Sequence, residues 1–347
     1  MKFSVLLSLG LAFLALGLFA TSALARPPAK EDLFRQLDLA QSRQSQLNSS
    51  PSAGEGQPVT VVLVPAYLHS HHNNLTTTLD GTPLKSRSGD ARLGSLILTA
   101  TKPINDRFSF GWIYQYTFGK YKGGLLVPNL PAMDGHSEVD LSSHMTGLFT
   151  DIYLGQAGAL NLSLFVAWDS FSGQETMIFP NGGQETRSIH RRDTRLGSLT
   201  AWWTKQFALN DSWDLTPFLG WRTIRACLRG QADWTAPAGT TTTMNSWAHL
   251  VSGGFTLNYK GPVNLKLWSG YNQRTKKDNI PGFGSRAIAP GIANLGWMIN
   301  WNQRVWTYGL GLSRAVSSGL ILDLSYNGFK GEDTISHAAN LALIWLF

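Results

Sequence analysis

From residue 59 onward, apolar and polar residues alternate with a period of two. The clearest run puts Phe108, Phe110, Trp112, Tyr114, Tyr116 and Phe118 on every even position, with Ser109, Gly111, Gln115 and Thr117 between them. Successive side chains of a strand point to opposite faces, so one face here is aromatic and the other small or polar. The chain ends the same way. Ile335, Ala339, Leu341, Leu343, Trp345 and Phe347 share one face, and Ser336, Ala338, Asn340 and Ala342 share the other. Further alternating runs cover 59–68, 93–101, 145–154, 160–168, 195–207, 215–221, 246–259, 263–271, 293–301, 306–312 and 320–326, which makes thirteen candidate strands.

Turn signals at Pro103–Asp106, Gly155–Gly158, Asn210–Asp211 and Lys260–Pro262 join these runs into hairpins. Between the hairpins lie longer polar segments, 119–138, 170–190, 230–244 and 272–289, read as loops, as is the histidine-rich stretch after Leu68. Short turns on one side and long loops on the other, with apolar faces of strand length, predict an all-β, transmembrane antiparallel β-barrel of a Gram-negative outer membrane. Such a barrel with both ends in the periplasm needs an even number of strands. Twelve are expected and fourteen is the alternative, the odd run falling within 272–303. A soluble sandwich or lipocalin-like barrel would have to bury thirteen apolar faces in one small interior.

The N-terminal region has a different texture. Lys2, the apolar run Val5–Ala20 and Ala23-Leu24-Ala25 form a secretory signal peptide over 1–25. Residues 26–56 form a leader. Within it, Leu33, Phe34, Leu37 and Ala40 fall on one helical face of 30–47, and Ser49–Gly56 reads as a linker. A helix of that length spans about 27 Å, enough to thread a barrel as a plug. A mobile periplasmic arm is the other reading. The barrel is expected over 57–347. With a single cysteine, Cys227, no internal disulfide is possible. An exported chain without one can draw stability from a closed hydrogen-bonded wall. The formal charge of +7 is spread among aromatic strands and does not indicate nucleic acid.

The final segment resembles the end of autotransporter β-domains. A glycine-rich strand (Tyr308–Ser313), a short turn (Val316–Gly319), a Tyr-containing strand (Leu320–Tyr326) and an aromatic-terminated strand (Ala339–Phe347) follow in order. Leu93–Gly111 looks like that family's early hairpin, and a helix before the first strand is also similar. The resemblance implies a membrane-spanning barrel and insertion by the outer-membrane barrel machinery through the C-terminal strand. Autotransporters carry a large N-terminal passenger, whereas about 30 residues separate signal and first strand here. A solitary, passenger-less barrel, expected as a monomer, is the closer description.

Chemistry is sparse. Phe108, Phe110, Trp112, Tyr114, Tyr116, Trp345 and Phe347 are expected to meet lipid and its headgroups. Arg222, Lys266 and Arg274 fall on polar faces and are candidates to line a pore, with Arg191, Arg192 and Arg195 clustered at the start of a strand. Rings of such residues favour anions. Asp140, Asp169, Asp214 and Asp323 are candidates to point inward and pair with them. His337 and Ser336 are adjacent, so their side chains take opposite faces and cannot act together. His69, His71 and His72 lack a nearby carboxylate in sequence, so a metal site is not expected there. Cys227 reads as a small apolar filler. No cofactor is implied and no enzyme is expected. Three functions remain: a channel or transport pore with a basic lumen, a closed structural or surface-display barrel acting through its external loops, and, third, a lipid-modifying barrel.

Overall fold

A computed structural model describes residues 59–72, 75–79, 82–105, 107–126, 134–178, 182–231, 241–274, 304–317, 319–331 and 334–346. The leader and the candidate strand at 293–301 lie outside them. The strands are β1 Thr60–His72, β2 Leu75–Leu79, β3 Thr82–Asn105, β4 Phe108–Leu126, β5 Asp134–Tyr153, β6 Ala159–Ile178 and β7 Gln184–Thr204. They continue with β8 Phe207–Ala208, β9 Trp213–Gln231, β10 Thr241–Tyr259, β11 Asn264–Arg274, β12 Arg304–Ser317, β13 Leu320–Lys330 and β14 Thr334–Leu346. Sequential long strands pair antiparallel, and β1 pairs with both β3 and β14, which closes a barrel of twelve strands. β2 extends the β3 hairpin at one end, and β8 adds a short rung to β9 at the other.

Following the register round the wall fixes the tilt. The circuit leaves β3 at Asp90 through His71, Ile335, Lys330, Trp306, Tyr271, Gly253, Leu219, Trp203, Leu160, Ile152 and Phe108. It returns to the same strand at Asn105, past a bulge at Ile104. A stagger of about 14 residues over twelve strands corresponds to a tilt of roughly 40° and a backbone radius of roughly 12 Å.

The short turns are built as their residues require. Asn105 Oδ1 accepts from the backbone N–H of Arg107 and Phe108 at 2.8 and 2.9 Å, and Asn210 Oδ1 caps Ser212 and Trp213 in the same way at 2.9 Å each. Gly155 and Gly158 hold positive φ angles of 60° and 101° in the turn between β5 and β6, where a side chain would strain the backbone. At the opposite end the strands run further than the sequence pattern suggested. β4 continues to Leu126, β5 begins at Asp134, β6 runs to Ile178, and β1 carries His69 to His72 within a strand. These polar stretches were expected as loops. They are wall extending past the apolar band, where both faces are polar and alternation leaves no trace.

Outward positions carry the large apolar side chains: Phe108, Phe110, Trp112 and Phe118 on β4, Leu164, Val166 and Trp168 on β6, and Leu322, Leu324 and Tyr326 on β13 are all exposed. From Phe108 to Phe118 the strand rises about 25 Å across the membrane at this tilt, the height of an apolar band. Inward positions are buried and mixed. Small and polar residues such as Ser95, Thr99, Gln115, Thr117, Ser325 and Asn340 share the interior with an apolar cluster that includes Val62, Val64, Ile97, Ile113, Phe149, Phe165, Ile224 and Ile344.

Candidate transport lumen

The inner wall contains bulky aromatics that the alternation did not flag. Each lies over a glycine of a neighbouring strand. A Cβ built on Gly111 would fall 2.0 Å from Phe149, one on Gly147 2.1 Å from Phe165, and one on Gly220 2.7 Å from Trp202. Phe218 covers Gly254 and Gly270 at 2.6 and 2.8 Å, and Trp268 covers Gly309 at 2.1 Å. A ring in the place of its neighbour's side chain lies along the wall rather than standing out from it. The sequence signal is an aromatic on the small-residue parity, such as Trp268 between Lys266 and Gly270 or Phe165 between Ser163 and Ala167.

The charges sit in tiers. At the periplasmic mouth, Asp214 is buried and receives bonds of 2.6 Å from both Lys260 Nζ and Gln206 Nε2. Asp151 accepts from Ser109 Oγ at 2.9 Å and Asn161 Nδ2 at 2.7 Å. Asp323 is buried on the inward face of β13, and Lys266 is half-buried on the inward face of β11. Higher up, Arg222 is 4 % exposed and its Nε donates to Thr200 Oγ1 at 3.1 Å. Arg274 falls in the same cross-strand row, two strands on through Leu250, and its side chain lies outside the described residues.

Two lumen candidates face the other way. Arg195 is exposed on the outward face of β7, whose inward positions are Ser198 and Thr200. Asp140 is exposed on the outward face of β5, where it pairs with Lys120 at 3.2 Å. Asp140 lies above the apolar run from which its strand's phase could be read, and Arg195 is the first residue of its own. The apolar candidates Phe108, Phe110 and Trp112 are exposed on the outward face, Tyr114 and Tyr116 are half-exposed beside them, and Trp345 shares the outward parity of β14. The side chain of Phe347 lies outside the described residues.

The outer rim gathers histidines. His144 Nδ1 shares a 2.8 Å bond with the Tyr114 hydroxyl, His249 Nδ1 a 2.9 Å bond with Thr223, and His337 Nδ1 a 2.5 Å bond with Tyr326. Ser336, beside His337, is fully buried on the opposite face. His69 and His71 meet a carboxylate that sequence proximity missed: Asp90 Oδ1 lies 3.4 and 3.0 Å from them, brought across by the β1–β3 register. Among the described residues no group of three or more His, Cys, Asp or Glu could hold a metal ion. No described helix is long and apolar enough to cross a membrane.

No family model and no curated protein matches the chain. Solved structures do. The translocator domain of autotransporter NalP from Neisseria meningitidis aligns with a TM-score of 0.58 at 12% identity, over 91% of this chain and 98% of that one. The transport unit of autotransporter AIDA-I from Escherichia coli aligns at 0.52 and 11%, over 89% and 98%. The β-domain of the Bordetella autotransporter BrkA aligns at 0.50 and 15%, over 82% and 99%. At such identities the likeness is one of fold. The chain is therefore a closed twelve-stranded outer-membrane β-barrel that shares the architecture of autotransporter translocator domains.

Proposed function

We propose that the protein is a passive transport barrel, with Arg222, Lys266, Arg274 and Asp323 as the charged residues of its path. The observation that carries this reading is the aromatic lining. Phe149, Phe165, Trp202, Phe218 and Trp268 are large enough to fill a narrow interior, yet each folds along the wall over a glycine. Rings that lie along a wall of roughly 12 Å radius, rather than across it, would leave room on the axis for a small solute. In the upper tier Arg222 and Arg274 favour an anion, while Asp323 shares the lower tier with Lys266, so the expected preference for anions is weak. A second reading, a closed barrel acting through its external strands, draws on the burial of the apolar cluster. Insertion through the aromatic-ended β14, which closes the wall against β1, is part of the same proposal.

Single-channel conductance in a planar bilayer separates the readings. The mature chain is compared with a version lacking residues 26–56. Stable steps with an anion-biased reversal potential in the mature chain support the transport reading, and steps only after deletion make the leader a plug. Silence in both supports the closed barrel.

A further inference from the structure

We propose that Arg195 and Arg225, which border an open notch at Gly197, bind a phosphate group of an outer-leaflet phosphorylated glycolipid. Gly197 and Arg225 are direct cross-strand partners on the outward faces of β7 and β9, and Arg195 stands two residues above Gly197 on the same face. Diagonal neighbours of this kind lie about 7–8 Å apart, within reach of two long side chains. Both arginines are exposed. A Cβ built on Gly197 meets nothing within 4 Å, unlike those on most glycines of the wall, whose place an aromatic ring takes. The notch thus opens toward the membrane next to two arginines, one above it and one beside it, whose planar forks match phosphate oxygens.

Its height fits a headgroup. Lys120 marks the top of the β4 apolar band, one outward position beyond Phe118. Arg195 is three strands further round and four residues lower in register, by way of His144 and Trp168. The tilt carries a constant register upward by slightly more than one residue per strand, so the two offsets cancel and Arg195 stands level with Lys120. Below the notch, Leu199 and Trp221 are exposed, and Trp168 flanks it as the direct partner of Arg195. This surface accepts acyl chains under a bound phosphate. At this level Lys120 pairs with Asp140 and Lys122 with Glu138, at 3.2 and 2.9 Å. One step above the notch, Asp193 and Arg229 are backbone partners.

The test uses the full chain folded in mild detergent and native mass spectrometry with bisphosphorylated lipid A as probe. Arg195→Gln with Arg225→Gln should lower affinity on the order of tenfold. Gly197→Val keeps both charges, fills the notch and should have the same effect. Lys102→Gln, the loss of one positive charge on the exposed outward face at the periplasmic end, should have none. A heat-dependent gel shift verifies that each variant is folded. Lipid A stripped of its phosphates should bind the wild type as weakly as the intact lipid binds the double variant. Equal binding by all variants, or no dependence on the phosphates, overturns the proposal. Full displacement by inorganic phosphate at millimolar concentration also overturns it, because the site would then serve a free anion.

Discussion

Gly111→Ala tests the flattened lining directly. The three atoms nearest a Cβ at this site belong to one ring, with Phe149 Cζ at 2.0 Å and its two Cε atoms at 2.4 and 2.6 Å. All are far below a carbon–carbon contact distance, so the ring must leave the wall. Phe149 is 4 % exposed and part of the apolar cluster, so it swings either into those neighbours or toward the axis. Overpacking of this kind costs about 1–3 kcal/mol. With a urea slope of about 3 kcal/mol/M, the midpoint should fall by about 0.3–1 M. Phe149→Ala alone should cost about 3–5 kcal/mol, through lost burial and the cavity it leaves. The double variant should cost less than the sum of the two by about 1–2 kcal/mol, since the new methyl then occupies vacated space. Urea unfolding in lipid vesicles, followed by tryptophan fluorescence, measures all three. Gly197→Ala is the control and should be neutral, as nothing lies within 4 Å of its Cβ. Strict additivity, or a Gly111→Ala midpoint equal to the control, would refute the placement of the ring.

Other expectations follow from single sites. Asp214→Asn keeps the shape but removes the charge that Lys260 and Gln206 both address at 2.6 Å. It should cost about 1–3 kcal/mol in the same unfolding assay, the exposure of Lys260 reducing the usual penalty for a broken buried pair. Asn210→Ala leaves the N–H groups of Ser212 and Trp213 without their acceptor, and should lower stability by about 0.5–2 kcal/mol and slow refolding of the β7–β9 hairpin. If the transport reading holds, Arg222→Gln should move the reversal potential toward cations in a salt gradient, whereas Arg195→Gln, on the outer face, should leave it unchanged.

The sequence disclosed most about the part of each strand that crosses lipid. Solvent changes from hydrocarbon on one side to lumen on the other, so β4 and β14 could be phased residue by residue, and the Asn and Gly turns followed from their own chemistry. Legibility stopped where that contrast stops. Above the apolar band both faces meet water, which is why Arg195 and Asp140 could not be assigned a face and why the long polar segments hid their strands. The interior depended on register. Nothing local says that Phe149 lies on Gly111, 38 positions away in the chain, because that pairing is set by the β4–β5 hairpin as a whole. The His69–His71–Asp90 group was invisible for the same reason, as its carboxylate arrives on the next strand of the wall.

The alternation of lipid and lumen along one strand underlies every assignment of a site. Spin labels placed singly from residue 108 to 118, in a chain with Cys227 replaced, report it by their collision rates with oxygen and with a polar nickel reagent in lipid vesicles. The account predicts a period of two, with even positions open to oxygen, most strongly at mid-membrane, and odd positions shielded from it. Odd positions as open to oxygen as even ones, or even positions reached by the polar reagent throughout, would contradict a barrel that faces lipid with its aromatics.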